Sequence, residues 1–435
     1  MSKQIKKGDS KLSFKFIGNA CGTFVGKNGT KILCDPWIVD GVFDGSWCHI
    51  HKLKTTMNDL RDVDAIYISH LHPDHFDERN FYFDKSTPLI VLEHAPNFLI
   101  KKLELLGYTN LIKIKNFETV TFREFELTMF SPFAKHNFHD AKVGNLIDSA
   151  LLVSCDGYSA LNANDNTPTI EACEILKKKY GPIDLAMINY NAAGPYPSCF
   201  DNLTKQEKIG EHFRILERNY HHLKDVIVTM EPKFILPFAG AYLLGGDLHH
   251  KNEYLGISTQ DECSEWLNAN KIKNTKVVLL RENDTLNITN GIADKKYEPI
   301  NLKEMQRYIK DELSQMKYPY QLEQSPNSTQ LLLDIEKAAF AMKERMNHFG
   351  ITSTFSVVLN IFLKRYQIYP NFKHLSKEES VGDKLECKLD ERLLRNILNR
   401  KSYWNNAESG AHISFNRSPN KYEPDLHTGL QFFHL

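Results

Sequence analysis

The sequence predicts a layered α/β (α+β) sandwich followed by a smaller C-terminal domain. Strand patterns dominate the first half of the chain, helical patterns lie between the later strands, and the character changes after about residue 295. This order suits a layered sandwich better than a strictly alternating parallel fold. We therefore expect one domain at residues 1–295 and a smaller accessory domain at residues 296–435, mainly helical from Leu302 to Arg365.

The strands of the first domain are predicted from apolar runs and turn signals. Leu12, Phe14 and Phe16 alternate with polar residues, as in a half-buried strand. Asn28-Gly29 is a hairpin signal, and Asp35-Pro36 ends the returning strand. Further strands are expected at residues 65–68, 89–92, 125–129, 150–153, 160–161, 185–188, 234–236 and 277–280.

The clearest helix begins after Thr204, because Glu207 completes a capping box three residues later. An apolar stripe at spacings of three and four follows, formed by Ile209, Phe213, Leu216, Tyr220 and Leu223. His221 and His222 also fall on this helix. Nothing nearby completes a metal site around them, so we expect both at the surface or at the edge of the core.

Composition and charge describe an ordinary globular protein. The chain has 54 basic and 54 acidic residues, with 42% apolar and 25% charged residues. This balance argues against nucleic-acid or membrane-surface partners that bind through bulk charge. The polar N-terminus and the lack of a long apolar segment predict a cytoplasmic protein. The eight cysteines form no Cys-x-x-Cys pair, so we expect buried free thiols.

The most informative segment directly follows the strand predicted at residues 65–68. It reads Ser-His-Leu-His-Pro-Asp-His and places His70, His72, Asp74 and His75 within six residues. Imidazoles and carboxylates suit zinc or iron without any thiolate. Such a density of ligands after a buried strand is costly unless the ligands are paired, which disfavours a plain polar loop. We predict two metal ions, one on the first two histidines and the other on the aspartate and the last histidine.

The His-x-His-x-Asp-His pattern resembles the metal-binding signature of the metallo-β-lactamase superfamily. The resemblance implies a metallo-β-lactamase-like αββα sandwich and further ligands at the ends of later strands. It implies a third histidine at His136 or His139, of which the position favours His136. It implies a bridging carboxylate at Asp165, which could otherwise be an Asx-turn residue. It implies a last histidine at His249 or His250, and the sequence does not decide between these two.

A narrower resemblance touches most of the chain. Six stretches are similar, in this order, to the catalytic module of CMP-N-acetylneuraminate hydroxylases: residues 15–19, 33–37, 66–75, 161–165, 191–197 and 236–240. Residues 403–413 resemble a bacterial branch of that group. The hydroxylases also carry a Rieske domain with Cys-x-His and Cys-x-x-His ligands, and this sequence lacks that pair of motifs. The resemblance then implies that electrons come from another protein or from the substrate.

Two main functions fit these patterns. In the first, two iron ions activate O2 to hydroxylate a sugar, nucleotide sugar or related polar metabolite, with an external electron-donor protein. In the second, two zinc ions activate water against an ester, amide or phosphodiester. A binding protein with a vestigial site is the third, disfavoured because the ligand set looks complete. We favour iron and oxidation from the ordered resemblance, with Asp74 and Asp165 as the catalytic carboxylates.

Three further polar features could adjoin the site. Asp35 follows a core strand and could orient a ligand histidine. The loop at residues 192–196 could border the substrate or could be a tight turn. A polar cluster follows Trp404, and we favour a solvated turn over a substrate-facing edge for it. Its members are Asn405, Asn406, Glu408 and His412.

Overall fold

The computed structural model describes residues 10–134, 148–376, 379 and 381–435. The strands are β1 (Leu12–Gly18), β2 (Cys21–Gly26), β3 (Lys31–Cys34), β4 (Trp47–Cys48), β5 (Ala65–Tyr67), β6 (Leu89–Leu92), β7 (Leu111–Ile114), β8 (Thr119–Phe122), β9 (Phe125–Phe130), β10 (Ala150–Cys155), β11 (Tyr158–Asn164), β12 (Leu185–Ile188), β13 (Phe234–Pro237), β14 (Leu243–Leu244), β15 (Lys276–Val277), β16 (Thr285–Asn287), β17 (Ile292–Ala293), β18 (Ser356–Ile361), β19 (Lys364–Tyr369), β20 (Lys373–Leu375), β21 (Lys384–Lys388) and β22 (Ser414–Ser418). The α-helices are α1 (Phe98–Leu105), α2 (Ile170–Tyr180), α3 (Lys205–Met230), α4 (Gln260–Ala269), α5 (Leu302–Asp311), α6 (Ser328–His348), α7 (Glu391–Leu398), α8 (Trp404–Ser409) and α9 (Pro424–Leu430).

Two large sheets pack face to face in the first part of the chain. Their strand orders are β17-β16-β1-β2-β3-β5-β6-β7 and β15-β13-β12-β11-β10-β9-β8. The facing sides share one apolar cluster, with Phe14 and Tyr67 from the first sheet and Leu127 and Met187 from the second. Helices α2, α3 and α4 cover the outside of the second sheet, and α1 with the segment after β5 covers the first. The predicted αββα sandwich is confirmed.

Local sequence signals account for most of these elements. The predicted capping box is present, since Thr204 and Glu207 bond reciprocally at the start of α3. The apolar stripe packs only in its second half, because Ile209 and Phe213 are 42% and 60% exposed. Helix α3 has 26 residues. It is therefore longer than the strands of the second sheet, on which it packs. Strand β15 covers only the beginning of the strand predicted at residues 277–280.

The carboxyl ends of the central strands meet at one edge of the sandwich. Strands β3, β5 and β6 run parallel in the first sheet, as do β11, β12 and β13 in the second. Tyr67 at the end of β5 donates its hydroxyl to Ser149 O at 2.9 Å, which joins the two sheets. Ser149 Oγ donates in turn to Ser69 O at 2.8 Å. These bonds fix the start of the loop that carries the predicted ligands.

The second part of the chain contains a sheet that the sequence did not predict. Helices α5 and α6 agree with the helical prediction, but β18 and β19 replace helix within the predicted range that ends at Arg365. Val357, Val358 and Ile361 are β-branched residues that favour a strand. The hairpin turn at Phe362 and Leu363 has φ of 51° and 60° at these two residues, without the Asn-Gly signal that usually marks such a turn. The five-stranded sheet has the order β20-β19-β18-β21-β22.

A second apolar cluster, called the shared cluster below, contains residues from both the first and the second part of the chain. It contains Trp37, Phe43 and Trp47 together with Trp404 and many residues of α6 and β18. The Trp47 ring stacks on Tyr242 at 3.4 Å between centroids, and its Nε1 donates to Ser409 O at 2.9 Å. Residues after 295 therefore pack on loops at the carboxyl edge of the sandwich. The division into two domains stays a prediction.

Three further expectations from the sequence can be compared with the structure. All eight cysteines are buried and form no disulfide, as expected. In the part of the chain that the structure describes, no helix is both long enough and apolar enough to cross a membrane. His221 and His222 are exposed on α3, as expected.

We predict that the shared cluster makes the chain unfold in one transition. Trp47→Ala should lower the free energy of unfolding by about 3–5 kcal/mol, because it removes a buried ring and its hydrogen bond. Trp266→Ala is the control and should cost less, since Trp266 is only partly buried beside another cluster. Urea unfolding followed by tryptophan fluorescence and by far-UV circular dichroism measures both effects. Two separate transitions in the wild-type protein would contradict a shared core.

Candidate metal centre

The loop after β5 and the end of β11 bring five predicted ligands together. Their ligand atoms form two groups, each within 4.8 Å, and Asp165 belongs to both. The first group is His70, His72 and Asp165, and the second is Asp74, His75 and Asp165. A carboxylate shared by two groups has the position that a bridging ligand requires. His70, Asp74 and His75 are buried, whereas His72 and Asp165 are partly exposed.

The His75 ring is held through its outer nitrogen Nδ1, which faces away from the candidate centre. Its inner nitrogen Nε2 faces two carboxylates. Its Nδ1 lies 2.9 Å from Asp35 Oδ2, and the ring is completely buried. Its Nε2 makes no hydrogen bond in the described structure and lies 3.4 Å from Asp74 Oδ2 and 3.5 Å from Asp165 Oδ2. Burial disfavours charge on this ring, but the carboxylates outweigh burial and raise the pKa of His75 well above its usual value. The site therefore favours positive charge at this position, as a metal ion supplies.

Asp35 also organises His70, through Ser69. The Asp35 carboxylate accepts hydrogen bonds from the backbone and the hydroxyl of Ser69, both at 2.8 Å. Since the hydroxyl donates to Asp35, it can accept from His70 Nδ1, which lies 3.0 Å away. Burial and the neighbouring His75 and His72 rings lower the pKa of His70 well below its usual value. A neutral ring whose Nδ1 carries the proton has its Nε2 lone pair available for a metal.

His72 lies against residues from outside its own loop. Its Nδ1 is 2.8 Å from His70 Nε2, and its Nε2 is 3.1 Å from Asn405 Oδ1. The Phe43 ring packs on the other side, with 5.8 Å between ring centroids. The interpretation of the polar cluster after Trp404 as a solvated turn is therefore wrong. Its His412 is also buried, and it donates from Nε2 to Phe43 O at 3.0 Å.

Two asparagines hold the carboxylates from opposite sheets. Asn19 Nδ2 donates to Asp74 Oδ2 at 3.2 Å, and Asn189 Nδ2 donates to Asp165 Oδ1 at 3.0 Å. Burial disfavours the charge on Asp165, but the His75 ring outweighs burial and lowers the pKa of this carboxyl below its usual range. The sequence interpretation gave neither asparagine a role, although each follows a predicted strand, as Asp165 does.

Left-handed backbone conformations cluster around this edge of the sandwich. Non-glycine residues with positive φ here are Asn19 at 48°, Asp35 at 40°, Asn164 at 42° and Ala239 at 55°. Such conformations cost energy for residues other than glycine, and they persist where the surrounding contacts determine the backbone. Three of the four side chains contact a predicted ligand or the strand that carries one. The contacts of the candidate centre thus hold part of its backbone in left-handed conformations, which also occur at turns elsewhere in the described chain.

The four remaining predicted ligands are His136, His139, His249 and His250. His136 and His139 lie outside the described residues. His249 and His250 donate from Nδ1 to nearby backbone carbonyls in a short 3-10 helix, and neither belongs to a candidate group among the described residues. Between β13 and these two histidines, residues 239–241 hold Asn19 through backbone hydrogen bonds.

Asp148 is a ligand candidate that sequence reasoning missed. Its Oδ1 lies 3.8 Å from His70 Nε2, on the side of the first group. It comes just before β10, whereas the resemblance implied a histidine just after β9. The sequence signal for this residue was a carboxylate placed just before a buried strand. Asp35 does orient His75, as the sequence suggested.

The donor set fits a metal centre. Outer acceptors hold the three imidazoles so that His70 Nε2, His72 Nδ1 and His75 Nε2 point inward, toward the carboxylates of Asp74 and Asp165. An αββα sandwich with this ligand loop after β5 defines the class of this chain as the metallo-β-lactamase fold with a candidate metal centre.

Sequence relatives agree with this class. No family model matches the chain. It is 28% identical over 229 residues to a Mycolicibacterium smegmatis protein named as a Rieske 2Fe-2S iron-sulfur protein, which covers 52% of this chain and 42% of that protein. It is 23% identical over 252 residues to cytidine monophosphate-N-acetylneuraminic acid hydroxylase of Danio rerio, which covers 56% and 40%.

A third relative is a metal-dependent hydrolase of Pyrococcus abyssi, 23% identical over 285 residues, which covers 64% of this chain and 100% of that protein. The resemblance to the hydroxylase that the motifs implied is confirmed. The chain spans less than half the length of the first two relatives.

We predict that Asp165→Asn strongly weakens metal binding with the fold intact. One unit of charge at about 4 Å is worth about 4 kcal/mol at an effective dielectric of about 20, or about three orders of magnitude in affinity. Asp156→Asn is the matched control, because Asp156 occupies the exposed turn of the same hairpin. Metal content after dialysis and circular dichroism measure the outcome. Equal metal retention in the two variants would show that Asp165 is only a turn residue.

Proposed function

We propose that this chain is a hydroxylase that uses two iron ions and O2 on a polar small molecule such as a sugar or nucleotide sugar. The observation that carries the metal centre of this proposal is the donor set, in which three imidazoles and two carboxylates converge. Similarity to a hydroxylase that acts on a nucleotide sugar supports oxidation over hydrolysis. Iron supplies redox chemistry with O2, whereas zinc would only lower the pKa of water.

Each ion would be bound by different histidines. His70 Nε2 and His72 Nδ1 would hold the first ion, and His75 Nε2 with Asp74 would hold the second. Asp165 would bridge the ions, because its Oδ2 lies 4.0 Å from His70 Nε2 and 3.5 Å from His75 Nε2.

We further propose Asp148 as a carboxylate ligand of the first ion. With Asp74 and Asp165 it would provide three negative charges against the four positive charges of two divalent ions. A nearly balanced charge lowers the cost of burying the centre. Oxygen and nitrogen ligands without thiolate suit non-haem iron.

The exposure of the ligands indicates where substrate would approach. His70, Asp74 and His75 are buried, so they are closed to solvent. His72 and Asp165 are partly exposed and form the open side. Asn405 stands beside His72, so a substrate would meet the second part of the chain there. Reducing equivalents would come from an electron donor outside these 435 residues.

Hydrolysis with zinc is the second candidate. Similarity to a metal-dependent hydrolase over that protein's whole length favours it. The same residues would then hold zinc, and no electron donor would be needed. The side chains alone do not choose between the two metals, because imidazole and carboxylate bind both.

We predict that Asp148→Ala loses metal to a greater extent than His136→Ala or His139→Ala. The reason is that Asp148 Oδ1 faces the first ligand group, at 3.8 Å from His70 Nε2. Elemental analysis of the three variants, against about two equivalents expected in the wild type, measures this. If metal were lost in only one of the two histidine variants and not in Asp148→Ala, that histidine would be the ligand that the sequence implied.

Oxidation and hydrolysis are separated by metal and oxygen dependence. We predict that carefully isolated protein contains iron in preference to zinc and has an absorption spectrum that bleaches on reduction. Turnover should consume O2 and need an external reductant. The physical reason is that zinc has no accessible redox change. Full activity of a zinc-only sample under strict anaerobiosis would refute the hydroxylase and leave the hydrolase.

A further inference from the structure

Each imidazole of the centre has a separate acceptor that sets its tautomer. Ser69 Oγ serves His70 Nδ1 at 3.0 Å, and Asp35 Oδ2 serves His75 Nδ1 at 2.9 Å. Both acceptors belong to the sandwich, because Ser69 begins the ligand loop after β5 and Asp35 follows the neighbouring strand β3. For His72 the relation is reversed, because its outer nitrogen is Nε2 and its acceptor is Asn405 Oδ1 at 3.1 Å.

The amide oxygen of Asn405 can only accept a hydrogen bond. A hydrogen bond between them therefore places a proton on His72 Nε2 and leaves Nδ1 to face His70 Nε2 and the centre. Without this acceptor, a neutral imidazole is free to place the proton on Nδ1 and turn its other nitrogen outward. Asn405 would thus select the one tautomer in which His72 is a ligand.

The helix that carries Asn405 is fixed to the sandwich on both sides. Ser402 Oγ donates to Asp44 Oδ2 at 2.8 Å, just before α8 begins. Trp47 Nε1 donates to Ser409 O at 2.9 Å, at its last residue. Trp404 is buried next to Asn405 in the shared cluster. These contacts hold Asn405 in place although 333 residues separate it from His72 in the sequence.

We propose that Asn405 is a positioning residue of the metal centre, and that residues 296–435 complete this centre by setting the tautomer of His72. The inference rests on the proposed metal centre but not on the choice between oxidation and hydrolysis. Its consequence is an asymmetry between the ions. A carboxylate acceptor makes His75 a stronger donor than a neutral amide makes His72.

Zinc alone is a suitable probe, because it tests ligation without redox chemistry. Metal-depleted full-length protein is titrated with zinc in competition with a chromophoric chelator. We expect two equivalents in the wild type. In Asn405→Ala the affinity for one ion should fall by about 10–100-fold, as for other outer partners of metal-bound histidines, and the other ion should be unaffected. Asn405→Asp keeps an acceptor and should retain both ions.

Two comparisons distinguish positioning from a merely structural role. Asn406→Ala, one residue further along α8, should bind zinc as the wild type does. In a His72→Ala background, the Asn405→Ala substitution should have no further effect, because the residue acts only through His72. In the cobalt-loaded protein, the hyperfine-shifted imidazole N–H proton of His72 should exchange faster with D2O in Asn405→Ala.

The results separate this inference from the proposed function. If the wild type binds two zinc ions and Asn405→Ala binds them with equal affinity, the inference fails while the metal centre stands. An equal loss of both ions, or an undiminished effect of Asn405→Ala in the His72→Ala background, also overturns it. If the wild type binds no zinc, the metal centre and this inference fall together.

Discussion

One buried carboxylate organises the loop that carries the ligands. Asp35 is completely buried, and it accepts hydrogen bonds from both the backbone and the hydroxyl of Ser69 while it faces His75. Burial raises the pKa of Asp35, and His75 and Ser69 oppose that shift. A buried charge is costly unless such partners surround it. Ser69 and His75 therefore have to stay in contact with Asp35. The loop between these two residues has little freedom to adopt another conformation.

Features that rest on local pattern could be predicted from the sequence, and contacts between distant segments could not. The sandwich follows from alternating strands and capping signals, and the ligand loop from four ligand side chains after a buried strand. Asn405 shows the limit, because a polar residue after Trp404 is equally typical of a solvated turn until its contact with His72 is known. The hairpin at Phe362 was missed because its turn residues take positive φ without the Asn-Gly signal.

The shared apolar cluster explains how a distant residue can adjoin a metal ligand. Phe43 belongs to that cluster, packs on the His72 ring, and accepts a hydrogen bond from His412 through its carbonyl. Burial lowers the pKa of His412 to about 4, so this ring is neutral at physiological pH and its Nδ1 can accept from the Tyr320 hydroxyl at 3.0 Å. The surroundings of His72 thus depend on packing between the two parts of the chain, whereas those of His75 depend on the sandwich alone.

Because His72 and His75 are held by different parts of the chain, the two proposed ions would have different surroundings. The ion on the side of Asp74 and His75 would be enclosed by buried ligands, one of them backed by the charged Asp35. The ion on the side of His72 would be backed by a neutral amide and would adjoin the partly exposed Asp165. The open side of the centre, where a substrate would approach, would therefore also be the side whose ligand histidine depends on residues 296–435.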